Sequence, residues 1–160
     1  SLAQWLQIIC DLLAQVFDLR LGSKFIFIEL LDELYKDFDS ESTGNYPSII
    51  DLHNLMKIRV EEKTTPVSDK SKLYTCLNKT DALTRRLGSV LDCSSGYPIE
   101  ELLERDVIFE FDGLSTELQK FLVNSILCYA FNYYLASNKR GALNNLVIVD
   151  ECKYVFGKEV

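Results

Sequence analysis

Leu146-Val147-Ile148-Val149-Asp150-Glu151 is the stretch on which the reading of this chain turns: four apolar residues closed by two carboxylates. The apolar run reads as a short strand whose body is buried and whose rim carries both acids. In open α/β sheets, the carboxyl edge of the strands is where ligands bind. Two adjacent acids at that edge meet a defined chemical need. A nucleoside triphosphatase uses one carboxylate to hold magnesium, usually through water, and a second to orient an attacking water. Asp150 suits the first role and Glu151 the second. The plainer alternative is a buried strand ending in a solvated turn, and a motif this short does not choose between the two by itself.

The residues upstream supply the context such a strand requires. VIFEF (residues 107–111) is a second short β-rich run, followed by Asp112-Gly113. Ser115 can cap a helix whose positive end Glu117 favours. That helix is expected over about residues 116–137, and Phe121, Leu122, Ile126, Leu127, Tyr129, Phe131 and Tyr134 make it apolar nearly all round, as in a helix buried on more than one side. The polar run SNKRGALNN (137–145) then leads into LVIVDE. Strand, crossover helix and strand make a βαβ unit, with the two strands parallel, neighbouring or nearly so, and the crossover right-handed.

Further from LVIVDE the pattern is helical. Leu2, Leu6, Ile9, Leu13 and Val16 form one stripe, with Trp5, Leu12 and Leu19 beside it, which predicts an amphipathic helix over residues 2–20. Gly22 is the glycine expected to end it. FIFIELLDELYKDF (25–38) opens ambiguously, since 25–28 also reads as a short strand, but Leu31, Leu34 and Phe38 keep helical spacing and favour helix. Residues 39–46 form a polar loop, and Pro47 suits the first turn of a helix continued by Ile50, Leu52, Leu55 and Met56. A break at 61–69 precedes a fourth helix over about 70–91, with Leu73, Leu77, Leu83, Leu87 and Val90 in its buried set. CSSGY (93–97) is a turn and PIEELLE (98–104) a short helix. The expected fold class is therefore α/β: a helical region over residues 1–104, then half of an α/β core over 105–160.

Composition sets the outer bounds. The chain has 160 residues, 48% of them apolar and 26% charged, which excludes a disordered or fibrous protein. Its net charge of −7 argues against a broad phosphate-binding face. The five cysteines form no C-x-x-C pair and His53 is the single histidine, so the usual zinc ligand pairs are absent. Cys10 and Cys128 read as small core hydrophobes, and free thiols fit a cytoplasmic setting. No run reaches the 18 to 20 apolar residues of a membrane span, and no signal peptide precedes the first helix. The start at Ser1, directly in a helical pattern, and the stop soon after the paired acids read as a piece of a longer protein.

The passages PIEELLERDVIFEFDGLSTELQKFLVNSILCYAFNYY (98–134) and NNLVIVDECKYVF (144–156) resemble the HerA/FtsK-type motor ATPases. The likeness is closest to HerA-like DNA translocases and the conjugative or type IV secretion ATPases. YPSIIDLHNLM (46–56) is similar to the helical insertion that these proteins carry between Walker A and Walker B. The resemblance implies a RecA-like P-loop core over residues 105–160 and an insertion subdomain over 1–104. Asp150 then matches the magnesium-associated Walker B acid, Glu151 the water-activating base, and Asp112 and Gly113 a loop at the nucleotide edge. In the complete protein it implies ATP and Mg as cofactors, a homo-hexamer, and DNA or a secretion substrate as the moved partner.

Two departures stand out. Cys152 occupies a position where a small residue, often alanine, is usual. More seriously, no G-x-x-x-x-G-K-[ST] loop is present to cradle phosphates; Gly22-Ser23-Lys24 lacks its order and reads as a helix-ending turn. Walker A is expected upstream of Ser1 and the inter-subunit arginine beyond Val160, so the chain alone is expected to be inactive. The competing reading is a non-enzymatic helical interaction module or a degenerate ATPase subunit. Lys139 and Arg140 could contact phosphate or a partner subunit, and Arg85-Arg86 with Lys57 and Arg59 could touch DNA, although solvated surface charge explains them as well. A Cys152–His53 nucleophilic pair has no sequence signature to support it.

Overall fold

The computed structural model describes residues 2–92, 97–137, 145–150 and 152–153. They divide into two compact units, Ser1–Gly96 and Tyr97–Val160. The first holds α1 (Leu2–Val16), α2 (Leu21–Asp37), α3 (Ser40–Thr43), α4 (Ile49–Glu61) and α5 (Val67–Leu91). The second holds α6 (Ile99–Leu103) and α7 (Thr116–Ser137), so the short helix after Pro98 goes with the C-terminal unit. The chain is mostly helical, and no strand forms among the described residues.

The first unit is built by apolar spacings of three and four. Leu6, Cys10, Leu13 and Phe17 of the first helix and its exit meet α2, which buries Ile26, Phe27, Leu30, Leu31 and Leu34. α2 in turn packs on α4 and α5, and these two pack on each other through Leu52, Met56, Val60, Leu73, Cys76 and Leu83. Each such side chain contributes roughly 1.5–3 kcal/mol by leaving water. The segment 25–28 is helical, as its continuation implied, because Ile26 and Phe27 fall on the face that meets these neighbours.

The helix ends depart from expectation in instructive ways. α1 stops at Val16, not near residue 20, because Asp18 takes φ 49° and turns the chain; aspartate is one of the few side chains that tolerates this left-handed geometry. Gly22 is not the cap but lies in the first turn of α2, where a Cβ would meet the Lys72 side chain at 3.3 Å. Pro47 precedes the cap instead of opening the helix. Ser48 is the N-cap of α4, in a reciprocal capping box: Asp51 N–H donates to Ser48 Oγ at 3.3 Å, and Ser48 N–H to Asp51 Oδ2 at 2.7 Å. Ser48 Oγ also donates to Asp92 Oδ1 at 3.1 Å, tying the start of α4 to the end of α5. The polar loop expected over 39–46 contains the single turn α3.

In the second unit α7 begins where Ser115 predicted, and its first turn is closed by Gln119 N–H donating to the Ser115 carbonyl at 2.9 Å. Leu118 is fully buried, whereas Tyr129, Phe131 and Leu135 face solvent, so α7 is not covered all round as its composition suggested. The runs 107–111 and 146–149 flank it without a hydrogen-bonded ladder among the described residues. The expected βαβ unit is therefore present only as a helix between two apolar non-helical runs. The physical reason is partner number. A pair of strands is marginal in water, and three or more, or a covered face, are needed for a sheet to hold.

Candidate functional site

The predicted site residues all belong to the C-terminal unit, at the ends of the two apolar runs. Asp112-Gly113 forms an exposed turn closed by Leu114 N–H donating to the Phe111 carbonyl at 3.2 Å. Gly113 takes φ 80° with open space where a Cβ would stand, so glycine serves the backbone conformation here and not a close approach. Gln119 reaches back from α7, its Nε2 donating to the carbonyls of Phe111 and Leu114 at 3.2 Å each. The turn carrying Asp112 is thereby fastened to the helix that follows it.

Within 107–111 the rings of Phe109 and Phe111 lie parallel, with centroids 6.2 Å apart and planes within 5°. Side chains two positions apart share a face in an extended chain, about 6.6 Å apart at a rise of roughly 3.3 Å per residue. The spacing of the two rings matches that distance, with Phe109 and Phe111 on one face. Ile108, on the other, is 88% exposed.

The second run is anchored at its start. Asn145 Nδ2 donates to the Leu103 carbonyl at 2.8 Å, and the Tyr134 hydroxyl donates to Asn145 Oδ1. One side chain therefore links the last residue of α6, the outer half of α7 and the residue just before Leu146. Leu103 precedes the first run by four residues, and Asn145 stands immediately before the second. Leu146, Val147 and Ile148 are exposed, and Asp150 sits in an exposed turn. Glu151, Lys139 and Arg140 lie outside the described residues, as does the side chain of Arg86.

Several of the other sequence candidates have structural employment. Gly22-Ser23-Lys24 is neither a phosphate loop nor a helix-ending turn: it is α2's first turn, with Ser23 buried and Lys24 ion-paired to Asp11. Arg59 bridges Glu33 of α2 at 2.5 Å and Glu62 at 3.0 Å, and Arg85 Nε pairs with Asp81 at 2.5 Å. Burial pushes the Cys10 thiol up to about 12 and the Cys76 thiol to about 11, so both stay protonated and inert. Cys128 is only half-buried, short of the core position expected for it, and Cys152 is exposed. Among the described residues no group of three His, Cys, Asp or Glu side chains could hold a metal ion, and no helix is long and apolar enough to cross a membrane.

One polar cluster went unforeseen. His53 is buried between α4 and α5, with Nδ1 3.0 Å from Thr80 Oγ1 and Nε2 3.9 Å from Asp81 Oδ1. Its sequence signal was faint but real: His53 precedes Met56 by three and Val60 by seven, which places it on the buried stripe of α4. Thr80, 27 residues away, carries no comparable mark in the sequence.

The chain matches no protein-family model, no curated protein and no solved structure.

Proposed function

We propose that residues 105–160 supply the magnesium- and water-handling edge of a HerA/FtsK-type P-loop motor ATPase, with residues 1–104 as its helical insertion. The observation that carries this reading is the order VIFEF, Asp112-Gly113, capped helix, LVIVDE, in which each apolar run ends in acid. Three features of the C-terminal unit support it: the parallel rings of Phe109 and Phe111, the glycine turn held to α7 by Gln119, and the Asn145 link between the end of α6 and the start of the second run. Parallel strands joined by a crossover helix start at the same end and finish at the same end. Asp112 and Asp150 would then emerge together.

Exposed carboxylates in turns are hard oxygen donors, which suit a magnesium ion that keeps several of its waters. Bound ATP–Mg would supply the phosphoryl group and neutralise charge developing on it. Asp150 would accept hydrogen bonds from the ion's water shell and fix its position, and Glu151 would take a proton from the attacking water. The complete protein would be a cytoplasmic homo-hexamer that moves DNA or a secretion substrate. A second reading, a helical interaction module or degenerate ATPase subunit, is favoured by one observation: the apolar side chains of 107–109 and 146–148 face solvent, as a docking surface would.

Hydrolysis by the full-length protein separates the two. Glu151→Gln is expected to cut kcat about 100-fold or more, the ordinary worth of a general base, while nucleotide is still bound. Full-length protein that never hydrolyses ATP would remove the assignment and leave the interaction module, and hydrolysis unchanged by Glu151→Gln would remove Glu151 as the base.

A further inference from the structure

We propose that His53 is a proton-operated latch on the α4–α5 pair: neutral, it holds the two helices together through Thr80, and protonation loosens them. The carbonyls beside Thr80 favour one ring nitrogen as the site of protonation. The Thr80 hydroxyl has one hydrogen and lies 3.1 Å from the Cys76 carbonyl and 3.2 Å from the Leu77 carbonyl, one turn back on its own helix. Donating there, it accepts from His53 Nδ1–H at 3.0 Å and leaves Nε2 as the basic nitrogen. Nε2 faces Asp81 Oδ1 at 3.9 Å, which is too far for a hydrogen bond.

An imidazolium at this place would be poorly served. His53 is only 4% exposed. The one carboxylate facing it, Asp81, is already bonded to Arg85 on α5 through its other oxygen, so the attraction it offers is offset by that cation. Lys57, one turn along α4, adds a second like charge. α2, which also packs on α4 and α5, buries Ser23, Ile26, Phe27, Leu30, Leu31 and Leu34, and its Glu33 reaches α4 but is paired there with Arg59. Burial first, then Lys57 and Arg85, holds the imidazole below its ordinary value, and Asp81 only partly opposes them. Between that lowered value and 6.5, the opened form binds more protons than the closed one, so acid favours opening and stability returns as pH rises.

The test uses the intact chain, with imidazole C–H signals followed by NMR against pH and amide protection of α4 and α5 measured by hydrogen exchange at pH 7.5 and 5.5. Wild-type His53 is expected to titrate below 6.5, and protection should fall by up to about tenfold at the lower pH. That limit is set by an opened-state imidazole titrating about one unit above pH 5.5. Lys57→Gln, at an exposed position, should raise the midpoint and Asp81→Asn should lower it. His53→Asn, which can keep a contact to Thr80, should make protection independent of pH over this range. A midpoint at or above 6.5, or equal loss of protection in wild type and His53→Asn, overturns the latch. If His53→Asn fails to fold, the wild-type midpoint and the Lys57→Gln shift decide the matter.

Discussion

Asp18 and Gly113 both adopt positive φ, 49° and 80° respectively, yet only one of them advertises it in sequence. Asp112-Gly113 follows a β-rich run and precedes a capping serine, so a turn there was legible. Asp18 stands among helix-compatible residues, and Gly22 drew the expected boundary four positions too far. What gave the aspartate its role is tertiary: the α1–α2 packing needs Phe17 buried and the chain turned immediately afterwards. Gly113→Ala should destabilise the C-terminal unit by about 1 kcal/mol, and Gly113→Asn by less, in urea unfolding followed by circular dichroism. Burial likewise separates the cysteines into two chemical classes. In native protein treated with a thiol reagent, Cys152 should react readily while Cys10 and Cys76 remain unmodified, as mass spectrometry of the digested chain would report. Rapid labelling of Cys10 in the folded state would show that the α1 face is open.

The helices were legible because their apolar spacing is local information, and α2, α4, α5 and α7 all formed in the segments where that spacing lay. Their ends were less so, because caps depend on single side chains. The Ser48–Asp51 box starts α4 two residues after Pro47 could have done. Ser48→Ala removes the cap and the link to Asp92 together, and should cost about 1–2 kcal/mol in thermal or urea unfolding. A loss below a few tenths of a kcal/mol would mean that the helix start is held by packing alone. The two β-rich runs belong to the opposite case. A strand's stability resides in neighbours that no local pattern contains, so VIFEF and LVIV are recognisable as β-prone but do not form a ladder among the described residues. Asn145 is the least predictable piece of the candidate site. An asparagine in a polar turn gives no hint that it will link Leu103 and Tyr134.

At the scale of the molecule, the two units differ in what their sequences accomplish. Ser1–Gly96 closes a core around Phe27, Leu52, Met56 and Leu83, each at most 1% exposed, and its fold follows from helical periodicity. Tyr97–Val160 leaves Ile108 and Ile148 more than 80% exposed, and its two apolar runs are the segments that a larger sheet would cover. In the proposed function those runs are parallel, with Asp112 and Asp150 at the same end. A nitroxide on Asp112→Cys, with Cys93, Cys128 and Cys152 replaced by serine, tests this directly through paramagnetic broadening of amide signals. Four residues of extended chain span about 13 Å, enough to give a clear gradient along the second run. The amides of Val149 and Asp150 are predicted to broaden most and that of Leu146 least; the reverse gradient, or none, would contradict the parallel arrangement and with it the paired-acid edge.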